Sequence, residues 1–349
     1  MTTNLPAQPP LPSEKEAPAS VSPSAWFTAF APRRGLLNAH LQTIVGNYLP
    51  RPAFRVPFVK ETVEVDPADG SRVLCHCHWL PDRKNALTIL IVHGLEGSSD
   101  SAYMQGIAAK GAAAGMNVVR MNQRNCGGTD ALSATLYHSG RSADVAAVAG
   151  HLIEHDGIAR LALVGFSMGG NLVLKLAGEW GGEGPSQFKA VATVCPALNL
   201  AASADALHLP GNRLYEHYFM WKLRRRLRAK ARIFPGVFDT ERLRGVSTLR
   251  DFDDKITAFY CGFTGADDYY ARAAAANVID RIAVPTLILN AANDPFIRIL
   301  PDTRKKILGN PNIHFVETSD GGHCAFLAQP DGDDGRWAET RIVEFLREI

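Results

Sequence analysis

No part of the 349-residue sequence holds the unbroken apolar run of roughly 18 residues that a membrane-spanning helix needs. The longest apolar runs, such as the one around Ile89, have the length of buried strands. Charge of one sign is not in excess: 37 Lys+Arg stand against 35 Asp+Glu, a formal +2. That balance gives no reason to bind nucleic acid, and none is expected as a partner. Cysteine is sparse and irregularly spaced, six residues in all, so no disulfide framework is indicated. Staples are not needed, because a chain this long can bury roughly three quarters of its unfolded surface. Free thiols point to a reducing compartment, and a cytoplasmic location is expected. The N-terminus lacks the basic opening and apolar core of a signal peptide. Residues 1–25 are rich in Pro, Ser and Ala and are expected to form a disordered tail ahead of a domain spanning 26–349.

Cys75, His76, Cys77 and His78 look at first like metal ligands. They lie in a stretch, 72–80, that reads as a strand. A strand puts the cysteines on one face and the histidines on the other, so the four cannot converge. No metal and no organic cofactor is expected.

Residues 61–66 and 72–80 alternate in polarity and flank Pro67-Ala68-Asp69-Gly70, a hairpin signal that predicts an antiparallel start to the sheet. Beyond them short apolar runs at 86–93, 116–122, 161–165, 190–195, 284–290 and 313–317 are interleaved with helical patterns at 102–114, 143–155, 168–179, 301–308 and 337–347. Such alternation predicts an α/β fold with a mostly parallel, eight-stranded sheet and helices on both faces. One excursion, about 199–281, breaks the rhythm. It is too long for a plain loop and reads as a helical cap inserted at the sheet's C-terminal edge.

The motif that carries chemistry follows the run at 161–165. Gly165-Phe166-Ser167-Met168-Gly169 is G-x-S-x-G between a strand and a helix. A serine on so sharp a turn has strained backbone geometry, and the glycines let strand and helix approach closely. The helix end behind it offers amides to a developing oxyanion. A serine nucleophile needs a base, and the base an orienting acid, in the chain order Ser, Asp or Glu, His. Asp294 stands just beyond the run 284–290, and His323 in the loop leaving the run 313–317. Both fall at C-terminal strand ends, the same edge as Ser167. His208, His217 and His314 are rival bases within cap or strand; His93 and His138 precede the serine. Asp267 and Asp268 precede the strand that Asp294 follows, and Asp320 is too close to His323 to approach it from opposite. Leu95, in the glycine-rich loop His93-Gly94-Leu95, and Met168 are the expected backbone donors of an oxyanion hole.

These residues resemble the α/β-hydrolase fold, and several strings resemble its YheT-like branch: GLLNAHLQT at 35–43, HGLEGS at 93–98, YHSG at 137–140, DFDD at 251–254 and DPF at 294–296. The resemblance runs from about Trp26 to the C-terminus. It implies a serine carboxylic-ester hydrolase whose triad falls on Ser167, Asp294 and His323. One departure is Asn125, where the branch usually has glycine; Asn tolerates the left-handed backbone that a turn there needs. The expected reaction is acyl transfer from a small-molecule ester to Ser167 and then to water, with an acid limb near pH 6–7, the ordinary range for histidine. The alternatives are transfer to an alcohol or thiol, and a silent module that binds a lipid or protein.

Residues 222–232 carry seven basic side chains, Lys222, Arg224, Arg225, Arg226, Arg228, Lys230 and Arg232. Tyr215, Phe219, Leu223 and Leu227 form an i, i+4 stripe that the basic residues nearly surround. A solvated helix end on the cap is the simpler expectation; peripheral contact with an anionic membrane is the sharper one.

Overall fold

Thr88–Val92 reads as one apolar run because both its faces are covered. Ile89 and Ile91 pack on one side of the sheet with Met104 and Ile107; Leu90 and Val92 pack on the other with Val145 and Val148. A one-residue slip would exchange the two faces, so the register is strongly specified. The computed structural model describes residues 28–49 and 56–349, and the tail expected over 1–25 lies outside them.

The strands are β1 (Val59–Asp66), β2 (Ser71–His78), β3 (Thr88–Val92), β4 (Asn117–Met121), β5 (Leu161–Phe166), β6 (Phe188–Val194), β7 (Thr286–Ala291) and β8 (Ile313–Thr318). They form one eight-stranded sheet in the order β1-β2-β4-β3-β5-β6-β7-β8. β2 pairs antiparallel with β1 and β4, and every later pairing is parallel. The predicted antiparallel start and eight strands are therefore present.

The helices are α1 (Ala39–Tyr48), α2 (Ala102–Ala113), α3 (Ser142–Glu154), α4 (Met168–Trp180), α5 (Leu200–Leu207), α6 (Arg213–Ile233), α7 (Leu249–Phe252), α8 (Phe259–Cys261), α9 (Ala266–Ala273), α10 (Pro301–Gly309) and α11 (Trp337–Arg347). α2 and α11 cover one face of the sheet; α3, α4 and α10 cover the other. Between β6 and β7 the chain passes through α5 to α9, and side chains from α5, α6, α7 and α9 line a cavity that reaches Ser167. Cys75 and Cys77 are buried in the sheet core. His76 and His78 point away, His76 to the Ser99 hydroxyl at 3.0 Å and His78 to the Pro57 carbonyl at 2.8 Å. Among the described residues no helix is long and apolar enough to cross a membrane.

Candidate active site

Ser167 caps α4 with φ 54° and ψ −118°, a conformation that costs of order 1–3 kcal/mol for a residue with a side chain. The surrounding contacts hold it there. A Cβ on Gly165 would stand 2.4 Å from the Gly169 carbonyl oxygen, and one on Gly169 only 2.2 Å from that of Val92. Strand and helix thus meet backbone to backbone, and the Ser167 amide donates to Val194 at 3.0 Å. Met168 is the first residue of α4, where helical amides have no intrahelical acceptor.

The structure brings Ser167, His323 and Asp294 together. Ser167 Oγ lies 3.0 Å from His323 Nε2, and His323 Nδ1 lies 2.8 Å from Asp294 Oδ2. A carboxylate only accepts, so Nδ1 carries the proton and Nε2 faces the serine as acceptor. The other Asp294 oxygen accepts from the amides of Phe296 and Ile297 at 3.0 and 2.9 Å. Burial alone would raise the Asp294 carboxyl; the His323 charge and these hydrogen bonds hold it below its ordinary value. Burial likewise opposes a charge on His323, but Asp294 outweighs it and pushes the imidazole well above its ordinary 6.5. The buried carboxylate thus works against the ordinary histidine range on which the expected acid limb at pH 6–7 rests.

The rivals lie elsewhere. His208 pairs with Glu216 at 2.8 Å, His217 is exposed on α6, and His314 is within β8. Burial drives His138 down to about 3 and His93 down to about 4, so both are neutral. His93 braces the loop after β3: its Nδ1 donates to the Gly94 carbonyl at 2.8 Å and its Nε2 accepts from the Gln123 amide at 3.1 Å. Asp320 accepts from Asn293 at 3.2 Å, and Asp267 binds Arg250 at 2.6 Å.

Leu95 and Met168 both line the cavity beside Ser167, a space of about 110 Å³ walled by apolar side chains such as Leu200, Phe219 and Leu223. A wider mouth of about 490 Å³ also reaches Ser167; it opens between α1 and α6 and is bordered by His323, Cys324 and Tyr218.

Several supporting residues escaped the sequence reading. Thr43, on α1, accepts from the His323 amide at 2.8 Å and so fixes the histidine loop. Its only sequence signal is its place in the string at 35–43. Glu96 has φ 56° and is buried one residue past Leu95. Its carboxylate takes both arms of Arg226, at 2.7 and 2.9 Å, and the Tyr137 hydroxyl at 2.7 Å. Lys222 donates to the Glu96 carbonyl at 2.7 Å. Asn125 is left-handed, φ 66°, and its carbonyl also accepts from Arg226.

The basic segment is therefore no simple solvated helix end. It belongs to α6, whose buried side chains are Glu216, Met220, Leu223, Leu227 and Lys230. Lys230 donates to the carbonyls of Asp130, at 3.0 Å, and Ser133, and burial lowers it to about 8. Lys222, Arg224 and Arg226 are likewise tied to carbonyls or to Glu96. Arg225, Arg228 and Arg232 face solvent, in helical register with exposed Leu214, Tyr218 and Trp221.

Residues 88–330 match the sequence profile of the family described as alpha/beta hydrolase fold. The chain is 30% identical over 322 residues to the candidate esterase YheT of Escherichia coli (strain K12), covering 91% of this chain and 92% of that one. It is 29% identical over 275 residues to the phospholipase ABHD3 of Mus musculus, covering 75% and 65%. It is 27% identical over 297 residues to the medium-chain fatty acid ethyl ester synthase/esterase 2 of Saccharomyces cerevisiae, covering 74% and 61%. Among solved structures, the Pyrococcus furiosus esterase Pf2001 aligns with a TM-score of 0.54 at 15% identity, over 86% of this chain and 98% of that one, a likeness of fold.

Proposed function

The chain belongs to the alpha/beta hydrolase fold family, in its YheT-like branch, and from that premise we propose that it cleaves carboxylic esters through an acyl-enzyme on Ser167. The observation that carries the reading is the continuous hydrogen-bonded run from Ser167 Oγ at 3.0 Å to His323 and at 2.8 Å to Asp294. His323 Nε2 takes the hydroxyl proton as Oγ attacks the ester carbonyl. Asp294 holds the ring's tautomer and stabilises the imidazolium. The Leu95 and Met168 amides face the oxyanion. Nε2 then passes its proton to the departing alkoxide. Water repeats the sequence on the acyl-enzyme and frees the acid. The apolar cavity suits an acyl chain and the wider mouth an alcohol portion. Names of relatives that include esterase, phospholipase and ester synthase agree with that substrate class.

The test is a nitrophenyl-ester series of rising acyl length with the wild type and Ser167→Ala, beside labelling by a fluorophosphonate. Labelling at Ser167 and loss of turnover in the variant are expected; an unlabelled wild type, or a variant that still turns over, overturns the reading. Product analysis in added ethanol separates hydrolysis from acyl transfer.

A further inference from the structure

Cys195, His323 and Cys324 each bring one ligand atom to within 4.8 Å of the others. The cluster is assembled by backbone rather than by chance contact. Cys195 closes β6 with φ 44°, and Cys324 follows the triad histidine with φ 59°. Both are left-handed, which is uncommon for residues with a side chain. Cys324 Sγ comes 3.8 Å from His323 Nε2, and the Cys324 amide donates to Cys195 Sγ at 3.5 Å. Zinc binds sulfur at about 2.3 Å and imidazole at about 2.0–2.1 Å, so a tetrahedral site holds these atoms roughly 3.5–3.8 Å apart. Against the 4.8 Å bound, closure asks for a shift of at most about 1.3 Å.

Two further features suit a metal. The ring's other nitrogen is held by Asp294 at 2.8 Å, and a carboxylate behind a ligating histidine orients it and strengthens it as a donor. His323 and Cys324 border the wide mouth, so an ion has a path in, and the mouth leaves room for a water as fourth ligand.

We propose that Cys195, Cys324 and His323 Nε2 form a site for a soft divalent cation, zinc above all, that silences the triad while it is bound. Two sulfur–metal bonds form as two thiol protons leave to solvent, and no electron moves. The Nε2 lone pair that would accept the Ser167 proton is then committed to the metal. Thiolate and imidazole donors select zinc over magnesium or calcium. Binding stands on this geometry alone; only the loss of turnover rests on the serine reading above.

Cobalt(II), which substitutes for zinc and reports its donors by colour, tests the site on the whole protein. The wild type is expected to take up one equivalent with a thiolate-to-cobalt charge-transfer band, and zinc is expected to displace it. Cys195→Ala and Cys324→Ala are each expected to lose that band. Losing a ligand's hydrogen-bond partner costs roughly 10–100-fold in affinity, so losing a ligand should weaken zinc by about a hundredfold or more. A second cluster, His151, His155 and Asp156, offers no sulfur, so cobalt bound only there gives no such band. Cobalt uptake without the band overturns the proposal, as does a band that persists in both variants. A measurement without variants is alkylation of Cys324 in the wild type: zinc is expected to protect it, and an unchanged rate overturns the site. Ester turnover followed in the same titration should fall as the band grows. A band that forms while turnover persists would leave the metal site standing and remove the role given to His323.

Discussion

Arg226→Met is the most informative perturbation of the loop that carries Leu95. Arg226 makes a two-armed ion pair with Glu96, at 2.7 and 2.9 Å, and the Glu96 side chain is 2% exposed. Exposed pairs of this kind are worth about 0–1 kcal/mol. Here the partner left behind is a buried carboxylate with, among the described residues, only Tyr137 to donate to it, so the expected loss is about 3–5 kcal/mol. Glu96 also has φ 56°, a strained position that its partners hold in place. Once released, it lets Leu95 drift; on the proposed mechanism that forfeits one oxyanion donor, which costs roughly 10²–10³ in kcat. Denaturant unfolding measures the first quantity, and kcat resolved from KM on a soluble ester measures the second. The double variant Glu96→Gln/Arg226→Met removes the stranded charge and should recover much of the stability but little of the kcat. The sign of the pH dependence is a further check. Burial works to raise Glu96, but Arg226 holds it below its ordinary 4.5, so the pair's contribution is present above pH 4.5 and is lost as the pH falls through the depressed value. In Arg226→Met burial raises Glu96 instead, so the destabilisation should be worst at high pH and relieved on acidification. A single variant that unfolds within about 1 kcal/mol of the wild type, with kcat unchanged, would refute the reasoning.

Three other outcomes are expected. Because Asp294 raises His323 above 6.5, the acid limb of kcat/KM should lie above that value and fall toward it in Asp294→Asn; the ion pair's stabilisation is full below pH 6.5 and is lost as the pH rises through the raised value, and a wild-type limb at or below 6.5 contradicts this. Gly169→Ala would drive a Cβ to 2.2 Å from the Val92 carbonyl, so at least the 1–3 kcal/mol typical of overpacking, roughly, should be lost in calorimetry together with most turnover. Membrane contact is testable on the exposed arginines alone: reversing Arg225, Arg228 and Arg232 to Glu should abolish low-salt sedimentation with anionic vesicles while short esters are still cleaved, and a wild type that stays in the supernatant removes that contact.

The sheet and the three triad candidates were legible in the sequence for one reason. Strands buried on both faces advertise themselves as apolar runs, and an open α/β sheet puts its chemistry at their C-terminal ends. Ser167, Asp294 and His323 could therefore be placed by counting strands. Partnerships between loops and helices far apart in sequence leave no periodic trace. Arg226 meets Glu96 across 130 residues, and the His323 amide meets Thr43 across 280. α1 shows no apolar stripe facing the core, because its buried positions are Gln42, Thr43 and Gly46, although Asn38 caps it by accepting from two amides. The stripe on α6 was read too simply: Glu216, Met220 and Lys230 share the buried side with Leu223 and Leu227, since the polar pair finds partners there.

The chain leaves the sheet after Val194 and re-enters at Thr286, on the strand paired next to it. Because the two strands are parallel and Thr286 pairs with Val191, whatever lies between is mounted at two points about 11 Å apart, one strand spacing across and three residues along. Such an insert can be exchanged or resized without disturbing any strand's register, and doubling the length of a flexible connection costs only about 0.6 kcal/mol in closure entropy. Variation in what the pocket accepts can thus be inherited as a graft, while Ser167 and its neighbours stay as they are. The exchange is not free of terms. Arg226 belongs to the insert and Glu96 to the body, so every graft must bring its own cation to the same place or leave a charge stranded beside Leu95.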